Sequence, residues 1–214
     1  RSVRESRHII GEYVYSEKDV LLKTRFPDTV MISDTDFDTH GLQASDIARL
    51  GYLPYHKDEK HVRFPFRVCL PAGLENLLVT GKAFSSTKDA GAFGRMEPDL
   101  QNLGYVCGRA AAAAAVQGCS LREIDMEELI AHLLDIGCIH TEDLGEGVEA
   151  GKEAGEAVIE IAEGNEDGLL SVLFLPRKKA VPLLKEAFSH SSGFGRILVS
   201  MALAWFYEAD GVND

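Results

Sequence analysis

The sequence predicts an α+β protein in three parts: a β-rich first part, a strand–loop–helix unit in the middle, and an all-helical last part. Short runs of β-branched and aromatic residues separated by polar turns dominate residues 1–68, which is typical of strands. A short apolar run, a glycine-containing loop and a long helical pattern follow in residues 69–119. In residues 120–214 the apolar positions recur with helical spacing.

Two segments before residue 40 have strand character. Residues 9–15 are rich in β-branched and aromatic side chains, and the polar cluster that ends them, with Ser16 and Asp19, also fits a short helix start. Residues 29–32 predict a second strand, which leads into a loop with aspartates at positions 34, 36 and 38. Because these acids lack the glycine and glutamate spacing of an EF-hand, we predict no metal site here.

Residues 52–70 contain two strand-like pieces on either side of the polar turn KDEK. Aromatic, imidazole and guanidinium groups are concentrated in this span. The mixture suits a pocket that stacks on an organic substrate and holds its charge, and it equally suits an aromatic half-core with exposed basic residues. The catalytic residues cannot be named from the sequence. The candidates are His56, His61 and Arg67 in this span, and His40 in the preceding acidic loop.

The middle unit, residues 76–118, is a predicted buried strand at 77–79, a glycine-containing loop and a helix that opens at Pro98. A helix start directs unpaired N–H groups and the positive end of its dipole outward along the helix axis, which suits an electron-rich ligand. Gly104 and Gly108 lie four residues apart on one helix face, and the alanine run at 110–115 follows, so one side of the helix has almost no side-chain bulk. A ligand could pack closely against this face, and so could another helix or strand.

At these residues the sequence resembles the FAD-dependent oxidoreductases with a two-dinucleotide-binding-type flavoprotein fold. The spacing of the matching positions agrees throughout. These positions are 76–79, Gly81, Ser85, Thr87, Ala90, Arg95, Pro98, Gly104, Gly108 and 110–112. Lys82 departs from the pattern, because the family commonly has Arg there, and a lysine keeps the charge but loses the bidentate fork.

The resemblance implies FAD as the cofactor and hydride transfer between an organic substrate and flavin N5. It also implies that the helix start faces the pyrimidine edge of the flavin, where the dipole stabilises negative charge. The cofactor contacts that it implies are Gly81, Lys82, Arg95, Asn102, Leu103 and Gly104. Residues 1–68 would be part of a substrate domain and 69–119 the C-terminal part of the FAD domain, followed by a helical extension.

Flavoproteins of this type bind the ADP half of FAD through a βαβ unit with a GxGxxG turn. The 214 residues contain no such turn. We therefore expect a C-terminal piece of a longer or multi-part protein, in which an N-terminal dinucleotide-binding portion completes the cofactor site.

The last part is helical and acidic. A capping box at 120–123 predicts a helix over 121–136, and a second helix is expected over 148–161. Segments 180–188 and 194–206 resemble the helix pair of one HEAT-type repeat, at about 177–208. The rival interpretation is a non-catalytic interaction module whose acidic helical repeats bind a protein partner.

The charge distribution argues against nucleic-acid binding, and the hydropathy argues against a membrane-spanning segment. Residues 1–122 hold 16 Lys/Arg against 15 Asp/Glu, and residues 123–214 hold 6 against 19, so the net charge of −12 comes from the helical part. A phosphate backbone would be repelled there, and we predict no nucleic-acid binding. No stretch reaches 18 apolar residues, so we predict no membrane span.

Overall fold

The structure is a computed structural model that describes residues 7–39, 41–53 and 60–208. It shows a mixed α+β chain, which confirms the predicted class at that level. The chain divides into two compact units, Arg1–Val148 and Glu149–Asp214. These units differ from the three parts expected from the sequence, and the three-domain division stays a prediction.

Within residues 7–39, 41–53 and 60–148 the first unit forms two small antiparallel sheets. Strand β1 (Thr24–Arg25) pairs with β4 (Gly147–Val148), and β2 (Thr29–Thr35) pairs with β3 (Lys60–Pro65). The predicted strand at 29–32 is therefore confirmed and extends to Thr35. Of the two strand-like pieces predicted in 52–70, the second is β3, whereas the first lies mostly outside the described residues.

The strand predicted at 9–15 is wrong, because this segment forms only isolated bridges. Gly11 bridges to Pro71 in antiparallel fashion, and Tyr15 bridges to Ser86 in parallel fashion. Its backbone hydrogen bonds are thus divided between two chain segments of opposite direction, and a continuous ladder cannot form. The short helix predicted after Ser16 is confirmed, since Asp19 accepts a hydrogen bond from the Ser16 N–H at 2.9 Å.

In the described part of the first unit there are five α-helices. They are α1 (Glu17–Leu21), α2 (Asp46–Arg49), α3 (Lys88–Gly91), α4 (Glu97–Gln117) and α5 (Met126–Asp135). The long helix α4 buries Leu103, Val106 and Ala110 and packs against β2. It ends at Gly118, whose φ of 67° is the left-handed conformation that glycine adopts without strain. The core beside it is aromatic, with Tyr15, Phe64, Phe84 and Phe93 almost fully buried.

Helix α5 begins later than predicted. The Ser120 N–H does bond to the Glu123 carboxylate at 3.1 Å, but this contact closes a turn rather than opening a helix. The N-cap is Asp125, which accepts a hydrogen bond from the Glu128 N–H at 3.0 Å. The capping pattern at 120–123 therefore predicts the helix start five residues too early, since a local side-chain bond also stabilises turns.

Replacing this cap tests where α5 begins. We expect Asp125→Ala to lower the free energy of unfolding by about 1 kcal/mol, because it leaves a helix N–H without its acceptor. Ser120→Ala is the control, and it should change stability by less than about 0.5 kcal/mol. Urea denaturation of both variants measures the difference. The opposite order of effects would move the helix start back to Ser120.

The second unit is made only of helices among its described residues. They are α6 (Ala154–Glu163), α7 (Leu169–Leu173), α8 (Arg177–His190) and α9 (Gly193–Glu208). Helix α6 starts later than predicted but ends at Gly164, as expected for a left-handed glycine cap. The helices predicted at 180–188 and 194–206 are confirmed as α8 and α9, which pack on each other. Their assignment to a HEAT-type repeat stays a prediction. Across the described residues no helix has both the length and the apolar character needed to cross a membrane.

Candidate functional site

The start of α4 is tied to the sheet by a partly buried hydrogen bond. The helix is capped at Met96 and carries Pro98 in its first turn, as predicted. The Asp99 carboxylate accepts a hydrogen bond from the Ser33 hydroxyl at 2.7 Å, which ties the first turn to β2. Burial of the carboxyl, together with the nearby charge of Asp34, raises the pKa of Asp99 against the effect of that hydrogen bond. The direction of the first turn is therefore set by the sheet.

One face of α4 is open and almost without side-chain bulk. A Cβ atom added to Gly104 or to Gly108 would meet no other atom within 4 Å. Ala111 and Ala112 are exposed on the same helix, and Val116 is 88% exposed. The sequence predicted this small-residue face, and the structure leaves it uncovered by the described residues.

The strand predicted at 77–79 is not formed. Val79 donates its N–H to the Cys69 carbonyl at 2.9 Å, but residues 77–80 belong to no sheet among the described residues. Leu77 is 44% exposed rather than buried. A strand needs a series of backbone hydrogen bonds to a neighbouring strand. In the part of the chain that the structure describes, this segment makes a single backbone hydrogen bond to another segment, the one from Val79 to Cys69.

The loop that follows contains two of the predicted cofactor contacts. Gly81 has a φ of 73°, in the left-handed region, and opens a 3-10 turn that spans Gly81–Ala83. A Cβ at Gly81 would meet no atom within 4 Å. Lys82 is half-buried in the same turn, and Phe84 anchors the end of the turn in the core.

Arg95 lies immediately before α4 and is buried, with 8% of its side chain exposed. Its Nη2 atom lies 3.0 Å from the Asp38 carboxylate and also donates to the Asp38 carbonyl. Its Nε atom is buried without a hydrogen-bond partner among the described residues. Since an unpaired buried donor is costly, the guanidinium has unused capacity to bind an acceptor.

Asn102, Leu103 and Gly104 occupy successive positions in the second turn of α4. Leu103 is fully buried, whereas Asn102 and Gly104 are half-buried. The structure thus brings Arg95 and these three residues to one end of a helix. It places Gly81 and Lys82 in a turn that also packs against α4.

The candidate catalytic side chains occupy different environments. His40 and His56 lie outside the described residues. Arg67 makes a bidentate pair with Asp28, with both distances at 2.9 Å, and its guanidinium lies 5.2 Å from the centre of the Tyr13 ring. A negatively charged substrate would have to compete with Asp28 for this fork.

Both ring nitrogens of His61 are bonded to carboxylates. Nδ1 lies 2.6 Å from Asp34 Oδ1, and Nε2 lies 2.6 Å from Asp143 Oδ1. Asp143 is fully buried and also accepts from Arg63 Nε at 3.1 Å. Burial opposes the charge on His61, but the two carboxylates outweigh it and raise its pKa. Proton exchange with a substrate would require one of these bonds to open.

Sequence reasoning missed Asp99, Asp143 and Ser33 as residues that organise the site. Asp143 follows a histidine and a glutamate in an ordinary polar stretch, and its burial depends on Arg63, which lies far away in the chain. Ser33 lies within strand β2, and in the sequence it looks like any polar residue of a strand. For Asp99 the sequence does carry a signal, because this residue lies in the first turn of a predicted helix, where acidic side chains are favoured.

One comparison with known proteins identifies a family, and its match covers this region. A family model described as FAD dependent oxidoreductase matches residues 2–133, which is more than half of the chain. The match includes the whole of α4 and the Gly81 turn. No match was found among curated proteins or among solved structures.

Proposed function

The chain belongs to the FAD-dependent oxidoreductase family, with FAD as its cofactor, and on that premise we propose that it is the C-terminal part of an enzyme of this family. When bound, the flavin would accept or donate a hydride at N5, with a small organic molecule as the other reactant. The observation that carries the proposal is the sheet-anchored start of α4 beside an open face of small residues.

The residues present fit a flavin. A flat ring system needs a surface without side-chain bulk, and the open positions at Gly104 and Gly108 supply it. Gly81 leaves space beside the loop in the same way. The buried Nε of Arg95 has no acceptor among the described residues, and a phosphate, a carbonyl or an anionic substrate group could provide one. Gly81, Arg95 and Gly104 are predicted cofactor contacts, and Gly108 lies one helical turn after Gly104.

Electrostatic stabilisation is the role proposed for α4. The first N–H groups of a helix carry a partial positive charge, and they stabilise an electron-rich group that lies close to them. The Ser33–Asp99 hydrogen bond keeps the first turn in place, so little reorganisation is needed when charge develops. Lys82, in the turn that packs against α4, and Asn102, in the second turn of α4, are the polar side chains proposed to orient the cofactor.

Catalysis is proposed to use an acid or base from the first unit. His61 and Arg67 are candidates with described surroundings, and each is engaged by a carboxylate. His40 and His56 remain candidates from the sequence. We further propose that the ADP half of FAD is held by an N-terminal dinucleotide-binding portion, because no GxGxxG turn occurs in these 214 residues.

A non-catalytic interaction module is the alternative. The observation that favours it lies on α9, where Phe194, Ile197 and Met201 are each about half exposed at helical spacing. An apolar helix face of this kind suits a protein partner. This alternative requires no flavin, so the flavin content of the complete natural protein separates the two functions.

Gly104→Leu is the sharpest test of the proposed site. Because nothing lies within 4 Å of a Cβ at this position, the substitution should be tolerated and should add about 1 kcal/mol of helix propensity. In the complete protein the leucine would occupy the space assigned to the flavin. We expect FAD content, measured by absorbance after native purification, to fall at least about tenfold, equivalent to about 1.4 kcal/mol of binding.

Gly155→Leu is the matched control, since Gly155 is also a helical glycine with nothing within 4 Å but lies in α6. It should leave the flavin content unchanged. If Gly104→Leu retains its full flavin content, the open face of α4 is not the cofactor surface. If the parent protein contains no FAD at all, the interaction module is the better description.

A further inference from the structure

The side chain of His61 stands between two elements of the first unit. On one side is Asp34, its cross-strand partner in the β2–β3 pair. On the other side is Asp143, in a 3-10 turn that spans Thr141–Asp143. The contacts are both 2.6 Å, and both are made to carboxylate oxygens. Since a carboxylate only accepts hydrogen bonds, both ring nitrogens must carry a proton.

The charges around His61 balance only when the imidazole is protonated. Arg63 from β3 and His61 face Asp143, which is fully buried. Asp34 from β2 faces the other side of the ring, and its charge helps to raise the pKa of Asp99 at the start of α4. Without the proton on His61, a buried carboxylate would keep Arg63 as its sole charged partner among the described contacts.

The turn that carries Asp143 is also held by the packing of Leu144 against the core and by two other contacts. The Thr29 hydroxyl donates to the Asp143 carbonyl at 3.2 Å, and Phe26 bridges to Leu144. The Asp143 carboxylate also accepts from the His140 N–H at 3.1 Å, which holds the turn in its own shape. The charged contacts to His61 and Arg63 are therefore the side-chain bonds that fasten this turn to β3.

We propose that His61 is a pH-sensitive clamp, which in its doubly protonated form fastens the turn at residues 140–144 to the β2–β3 hairpin and loosens when the imidazolium loses one proton. After that loss one nitrogen has a lone pair that faces a carboxylate at hydrogen-bond distance. The exposed Asp34 can turn to water, whereas the buried Asp143 cannot, so the remaining N–H stays with Asp143. The tie to the turn then changes from an ion pair to a weaker bond from a neutral donor.

The sign of the pH dependence follows from the raised pKa of His61. A group whose pKa is higher in the folded than in the unfolded protein stabilises the fold fully below its unfolded pKa, which is about 6.5 for histidine. This stabilisation is lost as the pH rises through the folded pKa. Between the two values the protection of the turn should fall by up to about tenfold per pH unit.

Hydrogen exchange of residues 140–144 in the full chain tests the clamp, measured from about pH 6 to about pH 9, a range that contains the ordinary histidine pKa. Amide exchange is itself faster at higher pH because base catalyses it. We therefore divide the protection of the parent chain by that of His61→Gln at each pH, which cancels this effect. We expect the ratio to show strong protection at low pH and to approach one at high pH. His132→Gln removes a histidine of α5 and should behave as the parent.

Asp34→Asn provides a second and milder variant. It removes the exposed carboxylate and keeps the buried one, so the midpoint of the pH transition should move to lower pH while protection at low pH remains. NMR titration of the His61 ring should show both nitrogens protonated and a pKa above the ordinary value. A His61 pKa at or below about 6.5, or a ratio that does not change with pH, would overturn the proposal.

Discussion

Gly195→Ala is expected to unfold most of the helical unit at denaturant concentrations that the parent chain withstands. Gly195 lies in the first turn of α9, and a Cβ atom at this position would stand 1.9 Å from the carbonyl oxygen of Ala162. It would also approach the Ala162 carbonyl carbon at 2.6 Å. Backbone atoms cannot rotate away as a long side chain can. We expect a loss of about 3 kcal/mol or more, at the upper end of overpacking effects.

The measurement can be made specific to this unit. Trp205 is the single tryptophan of the sequence and lies in α9, so its fluorescence reports on the unfolding of that helix. Gly155→Ala is the control, because it adds the same methyl group to a helix where nothing lies within 4 Å. It should be neutral or stabilise by up to about 1 kcal/mol. Equal stability of the two variants would contradict the close packing of α9 against the end of α6.

Asp89→Ala is expected to detach the loop before α2 from α3. The Asp89 carboxylate is fully buried and accepts hydrogen bonds from the Ala44 N–H at 2.9 Å, the Ser45 N–H at 2.8 Å and the Ser45 hydroxyl at 2.9 Å. Truncation leaves two backbone donors without their acceptor. Hydrogen bonds to charged groups contribute about 1.5–3 kcal/mol each, so we expect a total loss of about 3 kcal/mol after partial access of water.

Asp89→Asn keeps one acceptor oxygen in the same place and should lose about half as much. Asp46→Ala is the matched control, because Asp46 is an exposed acid of the same region whose pair with Arg49 is solvated. Its effect should stay below about 0.5 kcal/mol. Chemical denaturation measures the change in the free energy of unfolding of each variant. Hydrogen exchange at residues 44–49 shows whether the loss of stability is confined to this loop. An Asp89→Ala variant as stable as Asp46→Ala would show that the carboxylate has no anchoring role.

Local signals predicted several elements correctly because those elements depend on neighbours in sequence. The start of α4 follows from Pro98, and α1 follows from the Ser16 and Asp19 pair. Helices α8 and α9 follow from their apolar spacing. The elements that failed depend on distant partners. The segment at 9–15 has strand composition, but its hydrogen bonds are divided between two other segments.

Those parts of the candidate site that depend only on residue type and on spacing along the chain were predictable from the sequence. The small face of α4 and the position of Arg95 were predictable, because the glycines, alanines and arginine stand at fixed offsets. The pairing of Arg95 with Asp38, and of His61 with Asp34 and Asp143, joins residues that only the tertiary fold brings together. A histidine between two acids cannot be distinguished in sequence from a histidine in a loop.

The pairing of β1 with β4 has a consequence for the order in which the chain can fold. The two strands are Thr24–Arg25 and Gly147–Val148, so the first sheet joins an early segment of the first unit to its last residues. Closing so long a loop is slow compared with local helix formation. During synthesis on the ribosome the first unit cannot complete this sheet until Val148 has left the exit tunnel. Until then the backbone groups of β1 that pair with β4 have no ladder partner in that strand.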